Sequence, residues 1–282
     1  MSPETQSFDL RPLSPLMAAE VVGLDLRRPL DTATRDAVYD AFLRYQVLVF
    51  RDQALGKQEQ IAFTEQFGTL EEHMARNRGS EIALLHVVSN LGPDGKPVGK
   101  IGSTGWHSDK SFRPLPSLAT FLHAVTMPPD GGDTCFASMY AAYEALPAAE
   151  KAALDSMKVV HSWEHSRLHK DGYKVPEEDR IAAPPMSHPL VRTHPETGRK
   201  GLFLGGHASH LDGMSFDEGR AKVIALEEFA TADRFTYRHK WRKGDMLMWD
   251  NRCLVHRADQ NFDAAMHPRV LHRTCLRGTA PA

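Results

Sequence analysis

Two short segments, far apart in the chain, carry residues that could bind a metal ion. In the first, Gly105-Trp106-His107-Ser108-Asp109, a histidine and an aspartate stand two positions apart. On an extended strand, the side chains of His107 and Asp109 would point to the same face. The second segment ends in His256. Two histidines and one carboxylate on one face of an octahedron leave positions open, which is the arrangement of non-heme Fe(II) oxygenases.

The residues around these segments make the metal hypothesis more specific. A His-x-Asp triplet is weak evidence by itself, because a chain with 15 histidines and 36 acidic residues can form one by chance. However, Arg269 and Arg273 follow the second segment closely, and Gly131-Gly132-Asp133-Thr134 lies between the two. A guanidinium binds a carboxylate through two parallel hydrogen bonds, which suits a keto-acid cosubstrate. The alternative for Arg269 is a surface salt bridge.

A second group of histidines competes for the metal role. His161, His165 and His169 recur every fourth position, and on a helix they would line one face, as two zinc ligands do in H-E-x-x-H. Against this, Val159-Val160-His161 has the pattern of a strand end, and no acidic residue stands where such a site needs one. The first set of ligands is therefore favoured.

Several segments together carry a family resemblance. They are WHSDKSF, PPDGGDTCFASMYAAYEALP, HPLVRTHPETGRKGLF, WDNRCLVH and PRVLHR. On these motifs, the chain is identified as a member of the taurine/2-oxoglutarate dioxygenase family, with a resemblance that extends from about Leu24 to Gly278. The segment WHSDKSFRPLPS resembles the aryloxyalkanoate (phenoxy-herbicide) dioxygenase branch more closely than the taurine branch.

This resemblance implies a fold, a set of cofactors and residue roles. The implied fold is mainly β with flanking helices, a double-stranded β-helix or jelly roll. The expected cofactors are Fe(II), 2-oxoglutarate as cosubstrate, and O2. His107, Asp109 and His256 would be both the metal ligands and the catalytic residues, and Asp109 points to oxygen insertion because related halogenating enzymes have a small residue there. Arg269 would bind the distal carboxylate of 2-oxoglutarate, with Thr134 adding a hydroxyl.

Substrate-binding positions are also implied by the resemblance. His73 and Arg273 match positions associated with the anionic head of the substrate. Arg76 and Ser103 stand where taurine dioxygenases have a tyrosine and an asparagine, so taurine itself is disfavoured. Ser166 matches a substrate-lining position. We therefore expect a small anionic substrate of the aryloxyalkanoate type.

The expected reaction is hydroxylation with ether cleavage to a phenol and a keto or aldehyde acid, releasing succinate and CO2. Two alternatives remain open. One is a sulfonate or alkyl-sulfate dioxygenase that uses the same machinery, and the other is a catalytically silent jelly-roll binding protein. Succinate production under O2 with Fe(II) would separate the silent protein from both enzymes.

Composition and charge limit the other classes of protein. The net charge of −2 gives no reason to expect binding to nucleic acid or to a membrane surface, and no apolar stretch approaches transmembrane length. The 3 cysteines are widely spaced, which predicts reduced thiols, and the N-terminus lacks a signal-peptide pattern. We predict a cytoplasmic protein that binds a small molecule; a homo-oligomer is left open.

Hydrophobic patterning predicts the elements that must position these residues. Residues 1–282 are predicted to form one domain, with loop insertions near 71–105 and 165–187, the first of which is a candidate cover for the site. The predicted strands cover 19–26, 46–51, 82–88, 117–125, 134–137, 189–193, 200–204, 235–241, 246–249 and 269–277. The predicted helices cover 31–44 (with Asp31 as N-cap), 57–67, 138–146, 148–158 and 216–231.

Overall fold

The computed structural model describes residues 7–73, 79–167 and 175–282. The strands in these ranges are β1 (Asp9–Pro12), β2 (Ala19–Val22), β3 (Val47–Phe50), β4 (His86–Ser89), β5 (Ser117–Thr126), β6 (Thr134–Ser138), β7 (Lys158–His161), β8 (Met186–Pro189), β9 (Val191–Thr193), β10 (Lys200–Leu202), β11 (Ala208–Leu211), β12 (Thr236–His239), β13 (Met246–Asp250), β14 (Leu254–Ala258) and β15 (Val270–Arg277). The α-helices are α1 (Thr32–Tyr45), α2 (Lys57–Glu65), α3 (Met139–Glu144), α4 (Ala148–Leu154), α5 (Glu177–Ala182) and α6 (Phe216–Ala230). None of these described helices is both long enough and apolar enough to cross a membrane.

One large sheet and three smaller ones organise the strands. The large sheet has seven strands in the order β1-β2-β3-β13-β5-β15-β4, and the smaller sheets are β12-β6-β14, β11-β7-β8 and the hairpin β9-β10. Within the large sheet, β2 and β3 run parallel, whereas β13 and β15 pair with β5 in antiparallel register. This order places β4, from the first third of the chain, beside β15 at its end. Residues distant in sequence are therefore brought side by side.

Strand β3 shows how both faces of the large sheet are covered. Because successive side chains of a strand point to opposite faces, an entirely apolar run has to be buried on both. Val47 and Val49 lie in the core shared with β6 and β14, whereas Leu48 and Phe50 lie in the core shared with α1 and α2. A further core packs α3 and α6 against β7, β9 and β11. The predicted mainly β fold with flanking helices is confirmed.

Most predicted elements are present. The strands predicted at 117–125 and 269–277 and the helix predicted at 216–231 correspond to β5, β15 and α6. Asp31 caps α1 as predicted, since its side chain accepts from the N–H of Thr34. Ser138 likewise caps α3 by accepting from the N–H of Ala141.

Several predicted boundaries were wrong, for local reasons. The strand predicted at 19–26 ends at Val22, because Gly23 turns the chain at a φ of 106°. The strand predicted at 82–88 begins only at His86, because residues 82–85 form a turn in which the N–H of Leu85 donates to the carbonyl of Ile82 at 3.2 Å. The helix predicted at 148–158 ends at residue 154, since the chain enters β7 four residues later.

Five elements were not predicted, namely strands β1, β8, β11 and β14 and helix α5. Strands β8 and β11 are short and contain serine and histidine, so they lack the β-branched run that marks a strand. Helix α5 lies inside the predicted loop insertion at 165–187, where three acidic residues follow Pro176. Acidic side chains in the first turn stabilise a helix through its dipole. The pattern was available in the sequence, but the segment is too short for apolar periodicity.

The turn between β5 and β6 lies directly against a later part of the chain. Gly131 and Gly132 both have positive φ, at 75° and 69°. The N–H of Gly132 donates to Oδ1 of Asn261 at 2.7 Å, and a Cβ atom at Gly131 would overlap the carbonyl oxygen of Asn261. The turn therefore needs glycine both for its conformation and for this close approach.

Replacing Gly131 by alanine is expected to lower the free energy of unfolding by roughly 2–5 kcal/mol, because φ strain and steric overlap add. Gly95 is a matched control, since it has the same φ of 75° but nothing within 4 Å of a built Cβ. Gly95→Ala should lose only about 1–2 kcal/mol. Denaturant unfolding of both variants measures the difference; equal losses would contradict the importance of the Asn261 contact.

Candidate active site

The three predicted metal ligands lie together. His107 and His256 form an isolated antiparallel bridge, with backbone N–H···O distances of 2.9 and 2.8 Å in the two directions. The carboxylate of Asp109 lies 3.9 Å from Nε2 of His107 and 4.0 Å from Nε2 of His256. The three potential ligand atoms all lie within 4.8 Å of one another. A single metal ion could therefore contact all of them.

Asp109 reaches this centre from a turn, so the expectation of one extended strand through His107 and Asp109 was wrong. The β conformation is limited to His107, and Asp109 begins a turn that continues through Lys110, whose φ is 54°. The hydroxyl of Ser108 donates to the carbonyl of Asn251 at 2.8 Å. This contact fixes the turn against the loop that follows β13. The carboxylate of Asp109 is therefore oriented by its contact with this loop, and not by the alternation of side chains along a strand.

Both histidines have a ring nitrogen suited to a metal. Nδ1 of His107 lies 2.9 Å from the carbonyl of Gly105. Because a carbonyl only accepts, Nδ1 is the donor, and Nε2 is the nitrogen through which this ring can bind a metal. For His256, burial and then the neighbouring His107 lower the pKa to about 3, so its ring is neutral. Two imidazoles and one carboxylate form a donor set that fits Fe(II).

A chain of directed hydrogen bonds fixes the Asp109 carboxylate. The indole N–H of Trp249, which can only donate, gives its hydrogen to Oδ1 of Asn251 at 3.1 Å. The amide of Asn251 therefore presents Nδ2 to Oγ1 of Thr120, at 2.9 Å. The hydroxyl of Thr120 then donates to Oδ2 of Asp109 at 2.6 Å. Each direction in this buried chain follows from the one before it.

Arg273 keeps the same carboxylate charged. Its Nη1 lies 3.2 Å from Oδ1 of Asp109, and its Nη2 donates to Nδ1 of His86 at 3.0 Å. Burial by itself would raise the pKa of Asp109, but Arg273, followed by His256 and His107, holds that pKa well below its ordinary value. Asp109 is therefore ionised at neutral pH, as a metal ligand must be.

The two residues predicted to bind the cosubstrate also meet. Arg269 is 3% exposed; its Nε donates to the carbonyl of Gly132 at 2.9 Å, and its Nη2 lies 3.4 Å from Oγ1 of Thr134. Burial lowers the pKa of Arg269 to about 10, while Asp133 acts in the opposite direction, so the guanidinium is charged at neutral pH. The indole N–H of Trp241 donates to Oγ1 of Thr134 at 2.9 Å, which leaves the threonine hydrogen available to another acceptor.

Two of the predicted substrate residues lie on the Asp109 side of the centre. Arg273 contacts Asp109 directly, and the buried His73 packs its ring 5.5 Å from that of His86. Among the described residues, Nε2 of His73 has no hydrogen-bond partner. Arg76, predicted to line the substrate site, lies outside the described residues.

The described hydrogen bonds of Ser103 and Ser166 are made with residues other than the three predicted metal ligands. Ser103 is exposed with a φ of 60°, and its carbonyl accepts from the N–H of Ala258 at 2.9 Å. Ser166 lies in a short 3-10 helix, His165–Arg167, and gives its hydroxyl to the carbonyl of Trp163 at 2.7 Å. Their roles in substrate binding stay predictions.

His161, one of the three competing histidines, makes a hydrogen bond outside the predicted metal centre. Nδ1 of His161 lies 3.0 Å from Oγ of Ser111, and the same oxygen lies 3.0 Å from Nδ1 of His207. In the parts of the chain that the structure describes, the cluster of potential metal ligands is the one formed by the two bridged histidines and Asp109, and His161 is not in it. His169 lies outside the described residues.

Some residues around the centre were not predicted from the sequence. Trp249, Asn251, Thr120 and His86 were not assigned a role in the site. Asn251 could have been found, because it stands in the same motif as His256. His86 also leaves a signal, since it interrupts an apolar run. Thr120 leaves none, because a threonine in a buried strand is ordinary.

Comparisons with known proteins identify the family. The model of the taurine catabolism dioxygenase TauD, TfdA family, matches residues 9–275. The chain belongs to this family. The alpha-ketoglutarate-dependent 2,4-dichlorophenoxyacetate dioxygenase of Cupriavidus pinatubonensis is 39% identical over 280 residues, covering 94% of this chain and 96% of that protein. An alkylsulfatase of Acinetobacter baylyi is 32% identical over 284 residues, covering 97% of this chain and 86% of that protein.

Solved structures agree with this assignment. The crystal structure of AAD-2 in complex with Mn(II) and N-oxalylglycine is similar with a TM-score of 0.88 at 39% identity, and 98% of each chain is covered. The predicted jelly roll and the predicted relation to the aryloxyalkanoate branch are confirmed. This member of the TauD/TfdA family is an Fe(II)- and 2-oxoglutarate (alpha-ketoglutarate)-dependent dioxygenase that uses O2. The alternative of a catalytically silent binding protein is not supported.

Thr120→Val is expected to weaken metal binding roughly 10-fold, because it removes the hydrogen bond to Asp109 while keeping the shape of the side chain. Thr120→Ser keeps the hydroxyl and should bind within about threefold of the wild type. Titration with Co(II), followed by visible absorption, measures both affinities without turnover. A serine variant as weak as the valine variant would assign the effect to the lost methyl group instead.

Proposed function

We propose that this dioxygenase acts on a small anionic substrate of the aryloxyalkanoate type. Hydroxylation of the carbon that carries the ether oxygen gives a hemiacetal, which collapses to a phenol and a keto or aldehyde acid, while 2-oxoglutarate is converted to succinate and CO2. The observation that carries this proposal is the guanidinium of Arg273, 3.2 Å from the Asp109 carboxylate. A fixed cation at this place would hold the substrate anion next to the reacting centre.

In this proposal, His107, Asp109 and His256 bind Fe(II) and are the catalytic residues. Their two neutral nitrogens and one carboxylate leave coordination positions for the cosubstrate and O2. Bound iron supplies the activation of O2 for decarboxylation and C–H hydroxylation. The protein supplies orientation, because Thr120 and Arg273 hold one carboxylate oxygen each.

Arg269 and Thr134 are proposed to bind the distal carboxylate of 2-oxoglutarate. The polar side-chain contacts of Arg269 are to a carbonyl and a hydroxyl, and among the described residues no acidic group forms a salt bridge with it. A buried guanidinium without an acidic partner is unfavourable until an anion pairs with it. The distal carboxylate would provide that anion, and Thr134 would donate its free hydrogen.

Arg273 and His73 are proposed to bind the anionic head of the substrate. The guanidinium is held near the metal ligands, and burial, followed by the charge on Arg273, lowers the pKa of His73 to about 3. His73 is therefore neutral and can serve as a hydrogen-bonding group without adding charge. Arg76, Ser103 and Ser166 stay proposed substrate residues on the family resemblance alone.

A row of aromatic rings supports an aryl substituent on the substrate. The His207 ring lies 6.4 Å from that of His107, Phe112 lies 4.9 Å from His207, and Trp163 lies 5.2 Å from Phe112. Rings at these separations stack edge-to-face or offset, and an aryl group placed beside them would gain the same kind of contact. The row begins at a proposed metal ligand, so it borders the place where the ether carbon has to lie.

A second candidate is an alkyl-sulfate or sulfonate dioxygenase. The relative from Acinetobacter baylyi that carries the name alkylsulfatase is 32% identical to this chain, and a guanidinium also pairs with tetrahedral oxyanions. The row of rings favours the aryl acid over a simple alkyl sulfate.

We also propose a cytoplasmic location. Cys135, Cys253 and Cys275 are free and buried, and thiols remain reduced in the cytoplasm.

His256→Ala is expected to abolish turnover and to weaken Fe(II) binding roughly 100-fold or more, since it removes one proposed ligand. His161→Ala should keep one iron per chain, because His161 contacts Ser111 and not the metal centre. Anaerobic Fe(II) binding to both purified variants measures this. Iron lost from the His161 variant but kept by the His256 variant would overturn the ligand assignment.

Among simple substrates, a phenoxyalkanoic acid is expected to give the fastest succinate release. Its methyl ester and taurine should each be at least roughly 10-fold slower, because the ester lacks the anion that pairs with Arg273 and taurine lacks the aryl group. The assay compares the three at equal concentration, together with an alkyl sulfate. An ester as fast as the acid would contradict the anion contact, and faster release with taurine or the alkyl sulfate would contradict the proposed substrate class.

A further inference from the structure

His86 stands directly opposite the residue proposed to meet the substrate anion. In the antiparallel pair of β4 and β15, the register sets His86 against Arg273, while Leu122 of β5 faces Arg273 from the other side. Directly opposed residues of neighbouring strands have Cβ atoms close enough for their side chains to interact. The backbone of the sheet therefore fixes this pair, independently of how the side chains rotate.

The contact within this pair has a defined direction. Nη2 of Arg273 lies 3.0 Å from Nδ1 of His86, and because a guanidinium only donates, Nδ1 must be the unprotonated nitrogen. Burial, followed by the charge on Arg273, lowers the pKa of His86 to about 4. A neutral ring with its proton on Nε2 satisfies both observations. The ring of His73, 5.5 Å away, packs against this histidine and limits its movement.

With His86 at one end and Asp109 at the other, the guanidinium of Arg273 is held at two points. Nη1 is bound to the carboxylate at 3.2 Å and Nη2 to the imidazole. A single contact would let the planar group turn about it, whereas two contacts fix the plane. The remaining N–H groups of the side chain, which is 20% exposed, then point in a set direction. An anion that arrives beside the metal centre meets donors already arranged for it.

We propose that His86 is a positioning residue that orients Arg273 toward the substrate anion and so determines the preference for anionic substrates. This inference rests on the proposed function in one respect, that Arg273 is the group that meets the anion. It assigns His86 no contact with the iron or with 2-oxoglutarate. The effect of removing it should therefore fall on the apparent affinity for the substrate.

Two substitutions separate this role from simple packing. His86→Phe keeps a ring of similar shape but removes the acceptor, and it should raise the substrate KM roughly 10- to 100-fold, the range expected for a lost hydrogen bond to a charged group. His86→Asn places an amide oxygen near the position of Nδ1 and should return the KM to within about threefold of the wild type. In both variants, Nη1 of Arg273 keeps its contact with Asp109, so the KM for 2-oxoglutarate and the affinity for Co(II) should change less than about threefold.

A matched control lies next to the arginine. His272 precedes Arg273 on β15 and is half-buried, but its side chain points to the other face of the sheet. His272→Phe should leave the substrate KM within about threefold. If the phenylalanine at position 86 prevents folding, His86→Gln replaces it, because the longer side chain carries its oxygen past the Nδ1 position and should raise the KM as the phenylalanine does.

Succinate release by the wild type and its variants, measured with the best anion of the substrate panel, gives the decisive comparison. A raised KM in His86→Phe with recovery in His86→Asn supports the proposal. An unchanged KM in His86→Phe, or an equal rise in His86→Asn or His272→Phe, overturns it. Preference of the wild type for an alkyl sulfate would refute the aryloxyalkanoate proposal alone, since the variants can then be compared with that sulfate.

Discussion

A buried carboxylate that must stay ionised is the constraint on which this site depends. Removing a carboxylate from water is strongly unfavourable unless charges and hydrogen bonds replace the solvent. For Asp109, the replacements are the guanidinium of Arg273, the hydroxyl of Thr120 and the two neighbouring imidazoles. Arg273 lies on β15 and Thr120 on β5. The two imidazoles come from His256 on β14 and from His107, which is bridged to it. The centre can form only after the large sheet and the β12-β6-β14 sheet have come together.

Strand β15 connects the two parts of the site that are proposed to bind anions. Arg269 precedes the strand and reaches Gly132 and Thr134 in the turn and strand of the smaller sheet, whereas Arg273 lies within the strand and reaches Asp109. The pairing of β15 with β5 shifts register between Val270 and Leu271, which lie between the two arginines in sequence. Each arginine is therefore held by different neighbours. In the proposed function, this separation would allow cosubstrate and substrate to bring one anion each without competing for the same cation.

The two halves of the site differ in how they are built. The metal half rests on interior strands and on the loop after β13, where buried hydrogen bonds run from Trp249 through Asn251 and Thr120. The proposed substrate half borders β4, which lies at the edge of the large sheet. Interior hydrogen-bond networks tolerate little change, because a broken member leaves a buried polar group unpaired. An edge strand takes part in fewer such hydrogen bonds, so a substitution at His86 is expected to disturb the buried network around Asp109 less than one at Thr120.

The sequence alone identified the candidate ligand residues, the family and the central strands, because these depend on local patterns. His107 and Asp109 stand in one short motif, and a continuous apolar run rich in valine, such as 47–50, is typical of a strand buried on both faces. Tertiary structure decided the rest. Asp109 is presented by a turn because Ser108 bonds to the loop at Asn251, and Thr120 and His86 join the site only through the register of β5 and β4 with β15. Register is set by the packing of whole sheet faces rather than by any single residue, which is why local patterns could not reveal these partners.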